Sequence, residues 1–188
     1  MFLSKSIEDE MTREQFWNLI AKTEVPDDLR AFDVNATRAK LAQLLRDTDE
    51  KSIKRFSHHY SKMMMKSSSY PLGDVVELMT GGCGDDSFFD FCDMLIVRGK
   101  NTFEQLLSKP DSIVDFVPKE TNSIFYLEAH FGNVPRDVLK ESGCDWAEMP
   151  KNYYKEMRSP KGNAVDLEDE TATARAYPRV MTWLSNRS

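Results

Sequence analysis

Cysteine is scarce in this chain: of 188 residues only Cys83, Cys92 and Cys144 are cysteines. An odd count at irregular spacing excludes a disulfide framework and supplies no Cys-x-x-Cys pair for zinc or redox work. Long apolar runs are also missing, so no stretch reads as a membrane span. The opening MFLSKSIEDEM has an apolar tip, but the charges of Lys5 and Glu8 leave no signal-peptide core. These absences set the expectation of a reducing, cytoplasmic setting. Positive charge is in the minority, with 25 Lys and Arg against 31 Asp and Glu and a net charge of −6. That balance argues against a nucleic-acid backbone binder, which needs clustered cations. No stretch alternates apolar and polar residues as a half-buried strand does, and no fixed-period repeat is visible.

What is present is helical periodicity. Thr12 and Gln15 are spaced as a capping box ahead of Phe16, Trp17, Leu19 and Ile20, which predicts a helix over 12–23. A second is expected over 35–46, capped by Asn35 and facing inward with Leu41, Leu44 and Leu45. A third, over 49–66, carries the stripe Ile53, Phe56, Tyr60, Met63 and Met64. Pro71 suits the first turn of a fourth, 71–80. A central helix follows over 85–98, then a short one to Lys109 capped by Asn101 or Thr102. Further short helices are expected over 111–117, 123–131, 135–141 and 168–176. Residues 146–163 read as a surface excursion, with one irregular strand possible near 163–167. The expected fold is all-α: a single compact multi-helix domain over 11–188 around a buried central helix, with a flexible extension over 1–10 and an irregular C-terminal segment.

The stretch Gly81–Gly99, GGCGDDSFFDFCDMLIVRG, carries most of the chemistry. A glycine loop before a helix is where a phosphate would bind. Here Gly81 and Gly82 lead to Asp85 and Asp86 instead of a lysine, and two carboxylates repel phosphate. The alternative is a tight interhelical turn with acidic residues at the helix start and Arg98 at its end. Asp86, Asp90 and Asp93 share one helix face at i, i+4 and i+7. Such a stripe either holds a divalent cation, faces solvent, or pairs with an arginine such as Arg30, Arg38, Arg98 or Arg136.

Elsewhere the candidates are sparser. His58 and His59 are adjacent, so they point apart and do not chelate one ion; His130 belongs to no recognisable catalytic signature. Each reads as a surface or satisfied core histidine. Met63–Met65 fits either an adaptable binding surface or core filling, with Met65 exposed in the second case. Trp146, Tyr153, Tyr154 and Trp183 are aromatic anchors near irregular segments; the first three are candidate partner-binding residues.

The motif Gly, Asp85-Asp86-x-Phe88-x-x-Phe91-x-x-x-Leu95-Ile96-x-x-Gly99 resembles the bacterial domain-of-unknown-function family DUF 4240. Phe16-Trp17-Asn18-Leu19-Ile20, the segment from Phe103 to Ser112, Pro160 with Gly162, and Tyr177-Pro178-Arg179 extend the resemblance. Family members tend to carry Arg at the position of Cys92 and Trp at that of Met94, so roles attached to those residues do not transfer. The resemblance implies a mostly helical domain and no established activity. Its setting is similar to that of proteins encoded near bacterial toxin and immunity genes.

Two functional expectations follow. The first is a non-enzymatic interaction module, of the immunity type, that binds and neutralises a basic toxin; acidity favours encounter with a basic partner. The second is a metal-dependent hydrolase built on Asp85, Asp86 and Asp90, with Asp86, Asp90 and Asp93 as the metal candidates. Neither reading implies an organic cofactor, and the oligomeric state is left open.

Overall fold

A computed structural model describes residues 11–26, 31–117, 130–144, 146, 150 and 153–186. The expected extension over 1–10, most of the helix expected over 123–131 and Arg30 lie outside the described residues.

The helices are α1 (Arg13–Ala21), α2 (Val34–Arg46), α3 (Glu50–Ser67), α4 (Tyr70–Thr80), α5 (Asp85–Val97), α6 (Lys100–Ser108), α7 (Val134–Glu141), α8 (Tyr153–Met157), α9 (Glu170–Ala176) and α10 (Pro178–Ser185), with 3-10 helices at Pro110–Asp115 and Phe131–Asn133. Among the described residues no strand forms; residues 163–167 are irregular, and the single ladder contact is an isolated parallel bridge between Ser69 and Lys161. The fold is all-α.

Local chemistry explains the boundaries. Thr12 and Gln15 form the expected capping box, with Gln15 N donating to Thr12 Oγ1 at 3.2 Å and Thr12 N to Gln15 Oε1 at 2.6 Å. Helix α2 starts one residue earlier than expected because Asp33, not Asn35, is the cap; its carboxylate accepts from Ala36 N at 2.9 Å. A charged acceptor at the cap position holds the free amides, whereas Asn35 already lies inside the first turn. Asn101 and Thr102 likewise fall inside α6, whose N-cap is Gly99 at φ 93°. Gly81 stops α4 in the left-handed region, φ 72°, which a residue with a Cβ enters only at a cost of about 1–2 kcal/mol.

The core is aromatic. Phe16 lies 4.9 Å from both Trp17 and Phe56, ring centre to ring centre, and Trp17 lies 5.4 Å from Phe103. Helix α3 packs on α5, α7 and α8, and α10 packs on α4, α9 and the 3-10 helix Pro110–Asp115. The α3 stripe Ile53, Phe56, Tyr60, Met63 and Met64 is buried as expected, while Met65 is half-buried against the core rather than exposed.

Helix α5 is central but unevenly so. Every residue from Phe91 to Val97 is buried, whereas Asp85 and Asp86 are exposed and Phe88, Phe89 and Asp90 half-buried. The second half therefore anchors the core, and the first half is left to line surface cavities.

Candidate functional site

Asp93 organises the first of these cavities. It sits mid-core on α5, 7 % exposed, where an unsatisfied carboxylate would be very costly. Three neutral donors meet it: Tyr60 Oη donates to Oδ1 at 2.6 Å, Gly132 N to Oδ1 at 3.1 Å and Phe131 N to Oδ2 at 2.6 Å. Tyr60 Oη also reaches the Asp93 carbonyl at 3.0 Å. Of the three alternatives for this carboxylate, cation, solvent or arginine, none describes what meets it here: two backbone amides and a phenol satisfy it without bringing a guanidinium into the core.

The two amides converge because of an unusual backbone at His130, which is left-handed at φ 46° and ψ 36°. Successive N–H groups after such a residue form a concavity that suits an anion, and here the anion is the protein's own Asp93. Arg38 Nη1 fixes the corner by donating to the His130 carbonyl at 2.5 Å, and the fully buried Phe131 ring anchors it from within. Gly132 lies so close to the hub that a Cβ there would meet Tyr60 Cε1 at 3.3 Å and Asp93 Oδ1 at 3.6 Å.

Above the hub opens a cavity of about 160 Å³, lined among others by Tyr60, Phe89, Asp90, Asp93, His130 and Tyr153. His130 Nδ1 is 4.0 Å from Asp90 Oδ1 at its rim. Burial pushes Asp93 above the usual carboxylate range, against the opposing effect of the bonds from Tyr60, Phe131 and Gly132. Burial, then the nearby Asp93 charge, raises the Tyr60 phenol well above its ordinary value and the Tyr153 phenol to about 12. Both phenols therefore keep their protons at neutral pH, and that of Tyr60 is the one donated to Asp93.

The acidic residues singled out in the sequence are distributed rather than gathered. Asp90 and Asp93 line the small cavity, Asp86 is exposed, and Asp85 lines a second, larger cavity together with Phe88. Among the described residues no group of three or more His, Cys, Asp or Glu side chains could hold a metal ion; the Asp86, Asp90 and Asp93 set is not assembled. The glycine loop holds no phosphate cradle: Gly81 terminates α4, and the Cys83 amide is already taken by Glu77 Oε2 at 3.0 Å. Arg98 caps α5 and donates from Nη1 to the Pro26 carbonyl at 2.5 Å. Of the partner-binding candidates, Tyr154 is 65 % exposed, Tyr153 is half-buried in the cavity wall, and Trp146 is half-buried against the core. His59 is a satisfied core histidine, its Nε2 paired with the Met11 carbonyl at 3.0 Å.

Sequence reasoning assigned Tyr60 to the core stripe and missed its polar duty. It also missed Asp74, a buried carboxylate on α4 that accepts from Tyr177 Oη and from Val165 N. The available signal was an aspartate on an apolar helix face, because a charge placed there demands a partner.

The molecule is an all-α protein organised by a buried carboxylate hub, with cavities on either side of its central helix. The chain belongs to the family described as protein of unknown function DUF4240, which matches residues 11–138. The matched region contains the Asp93 hub and α1 to α6, and ends within α7; Pro160, Gly162 and Tyr177–Arg179 lie beyond it. No curated protein and no solved structure matches the chain. No helix among the described residues is long and apolar enough to cross a membrane.

Proposed function

We propose that this protein is a protein-interaction module whose docking face is centred on Tyr154 and the cavity beside it, and that its partner is basic. The observation that carries this reading is the Tyr153–Tyr154 pair. The two rings meet edge to face at 5.3 Å; one walls the cavity and the other projects into solvent. An exposed tyrosine braced by a second ring beside a pocket has the make-up of an interface anchor, with large contact area and little side-chain entropy to lose. The net charge of −6 favours encounter with a cationic partner. An immunity-type protein that neutralises a basic toxin is the specific form of this reading.

The test is a photo-cross-linking residue placed at position 154, with a control at exposed Lys66, in the native host. The expected outcome is one basic protein captured from position 154 only. Once purified, that protein should bind the wild-type chain and lose at least about tenfold in affinity for Tyr154→Ala. Identical capture from both positions, or unchanged affinity of the variant, overturns the reading.

A further inference from the structure

The second cavity lies on the other side of α5, between α4 and the irregular segment that follows α8. At about 380 Å³ it falls in the range of small-ligand pockets. A dry cavity of about 150 Å³ already holds benzene, so this one has room for a ring and a short chain. Phe88, Val165 and Leu167 form apolar walls, and Tyr70, 41 % exposed, stands at the edge.

Among the described residues its charge is of one sign: Asp74, Glu77 and Asp85 all line it, and no described Lys, Arg or His does. Asp74 is taken up by Tyr177 and Val165. Glu77 uses Oε2 on the Cys83 amide, and Asp85 is exposed at the first turn of α5. An anionic ligand is repelled here, and a purely apolar one leaves the carboxylates without a counter-charge.

The floor of the cavity supplies an independent observation. Gly73 sits inside α4, where glycine costs about 1 kcal/mol relative to alanine. Its φ is not in the left-handed region, and an added Cβ would meet no atom within 4 Å. Neither backbone conformation nor crowding calls for glycine there. What glycine does is leave the floor bare at the point where a side chain would fill the cavity.

From these features we infer that the cavity binds a small organic cation with an apolar body, of the arylalkylammonium class: the ring against Phe88 and Leu167, and the ammonium toward Glu77 and Asp85. The site is distinct from the Tyr154 face, and the inference stands independently of the proposed partner.

The experiment is isothermal titration at neutral pH with three probes of one shape and different charge: phenethylammonium, 2-phenylethanol and 3-phenylpropionate. The ammonium should bind at least about tenfold more tightly than the alcohol, weaken as salt is raised, and the carboxylate should show no binding. Asp85→Asn and Glu77→Gln should each weaken the ammonium several-fold. Gly73→Leu should abolish its binding, with Gly73→Ala as the folding control. Equal affinity for ammonium and alcohol, no heat from the ammonium at about 10 mM, or unchanged binding by a folded Gly73→Leu variant overturns the inference. Tighter binding of an arginine-ended peptide than of the free amine overturns the assignment to a small molecule.

Discussion

The phenol of Tyr177 donates to Oδ2 of Asp74 at 2.7 Å, joining the junction of α9 and α10 to the middle of α4. The same carboxylate oxygen accepts from Val165 N at 3.0 Å. One buried aspartate thus ties two distant segments of the C-terminal region to the matched domain. Tyr177→Phe removes the phenol and leaves the carboxylate a single donor among these bonds. Urea unfolding should show a loss of about 1–3 kcal/mol; a change below about 0.5 kcal/mol would mean that water replaces the phenol without cost.

Asp93 makes a prediction with an unusual sign. Its folded-state carboxyl is raised above the ordinary range by burial. The folded state therefore holds this proton more tightly than the unfolded chain, so the stability linked to protonation is present below the unfolded pKa and lost as pH rises through the folded one. Lowering pH from about 7 to about 4 should shift the difference in unfolding free energy between wild type and Asp93→Asn in favour of wild type. Asp115 runs the other way, because its bond to Arg179 lowers its pKa. Asp93→Ala, which strands two amides and leaves Tyr60 Oη only the residue-93 carbonyl, should cost at least about 3 kcal/mol at neutral pH.

Two glycines should respond to alanine with opposite signs. Gly132→Ala places a methyl 3.3 Å from the Tyr60 ring, and crowding against so well packed a hub should cost about 1–3 kcal/mol. Gly73→Ala meets nothing and gains helix propensity, so it should stabilise by about 0.5–1 kcal/mol. Thermal unfolding of the two variants beside wild type decides both. A destabilised Gly73→Ala would show that the open floor is needed by the fold itself.

Asp111 caps a helix it does not belong to. Its carboxylate accepts from Arg179 N at 3.0 Å and Val180 N at 2.9 Å, at the start of α10, while the Arg179 guanidinium pairs with Asp115. Asp111→Ala should cost about 1 kcal/mol, as loss of a cap does, and hydrogen exchange at the Val180 amide should rise well above that in the core of α5. Uniform exchange changes across the chain would contradict a local cap.

Periodicity made α1, α3 and α5 legible because their apolar residues recur at helical spacing and their breakers are unambiguous. The capping box at Thr12 and the glycine stop at Gly81 were readable for the same reason: both act within a few residues. What did not show was every bond made over long sequence distances. Asp33 and Asn35 are both plausible caps until backbone direction is known. Pro110 opens a helix, but 3-10 geometry there depends on packing against α6 and α10. Asp93 read as one of three equivalent carboxylates, yet about two turns of helix separate an exposed Asp86 from a buried Asp93, and only the fold sets that boundary. The motifs around Asp111 and Tyr177-Pro178-Arg179 were visible separately; that one caps the other was not.

Helix α5 is a party wall. Phe88 faces one cavity and its neighbour Phe89 the other, so the two chambers share one helix. If occupancy on one side changes affinity on the other, thermodynamic reciprocity requires the same factor in both directions. A titration of either chamber, repeated with the other filled, would therefore measure the coupling free energy that passes across α5.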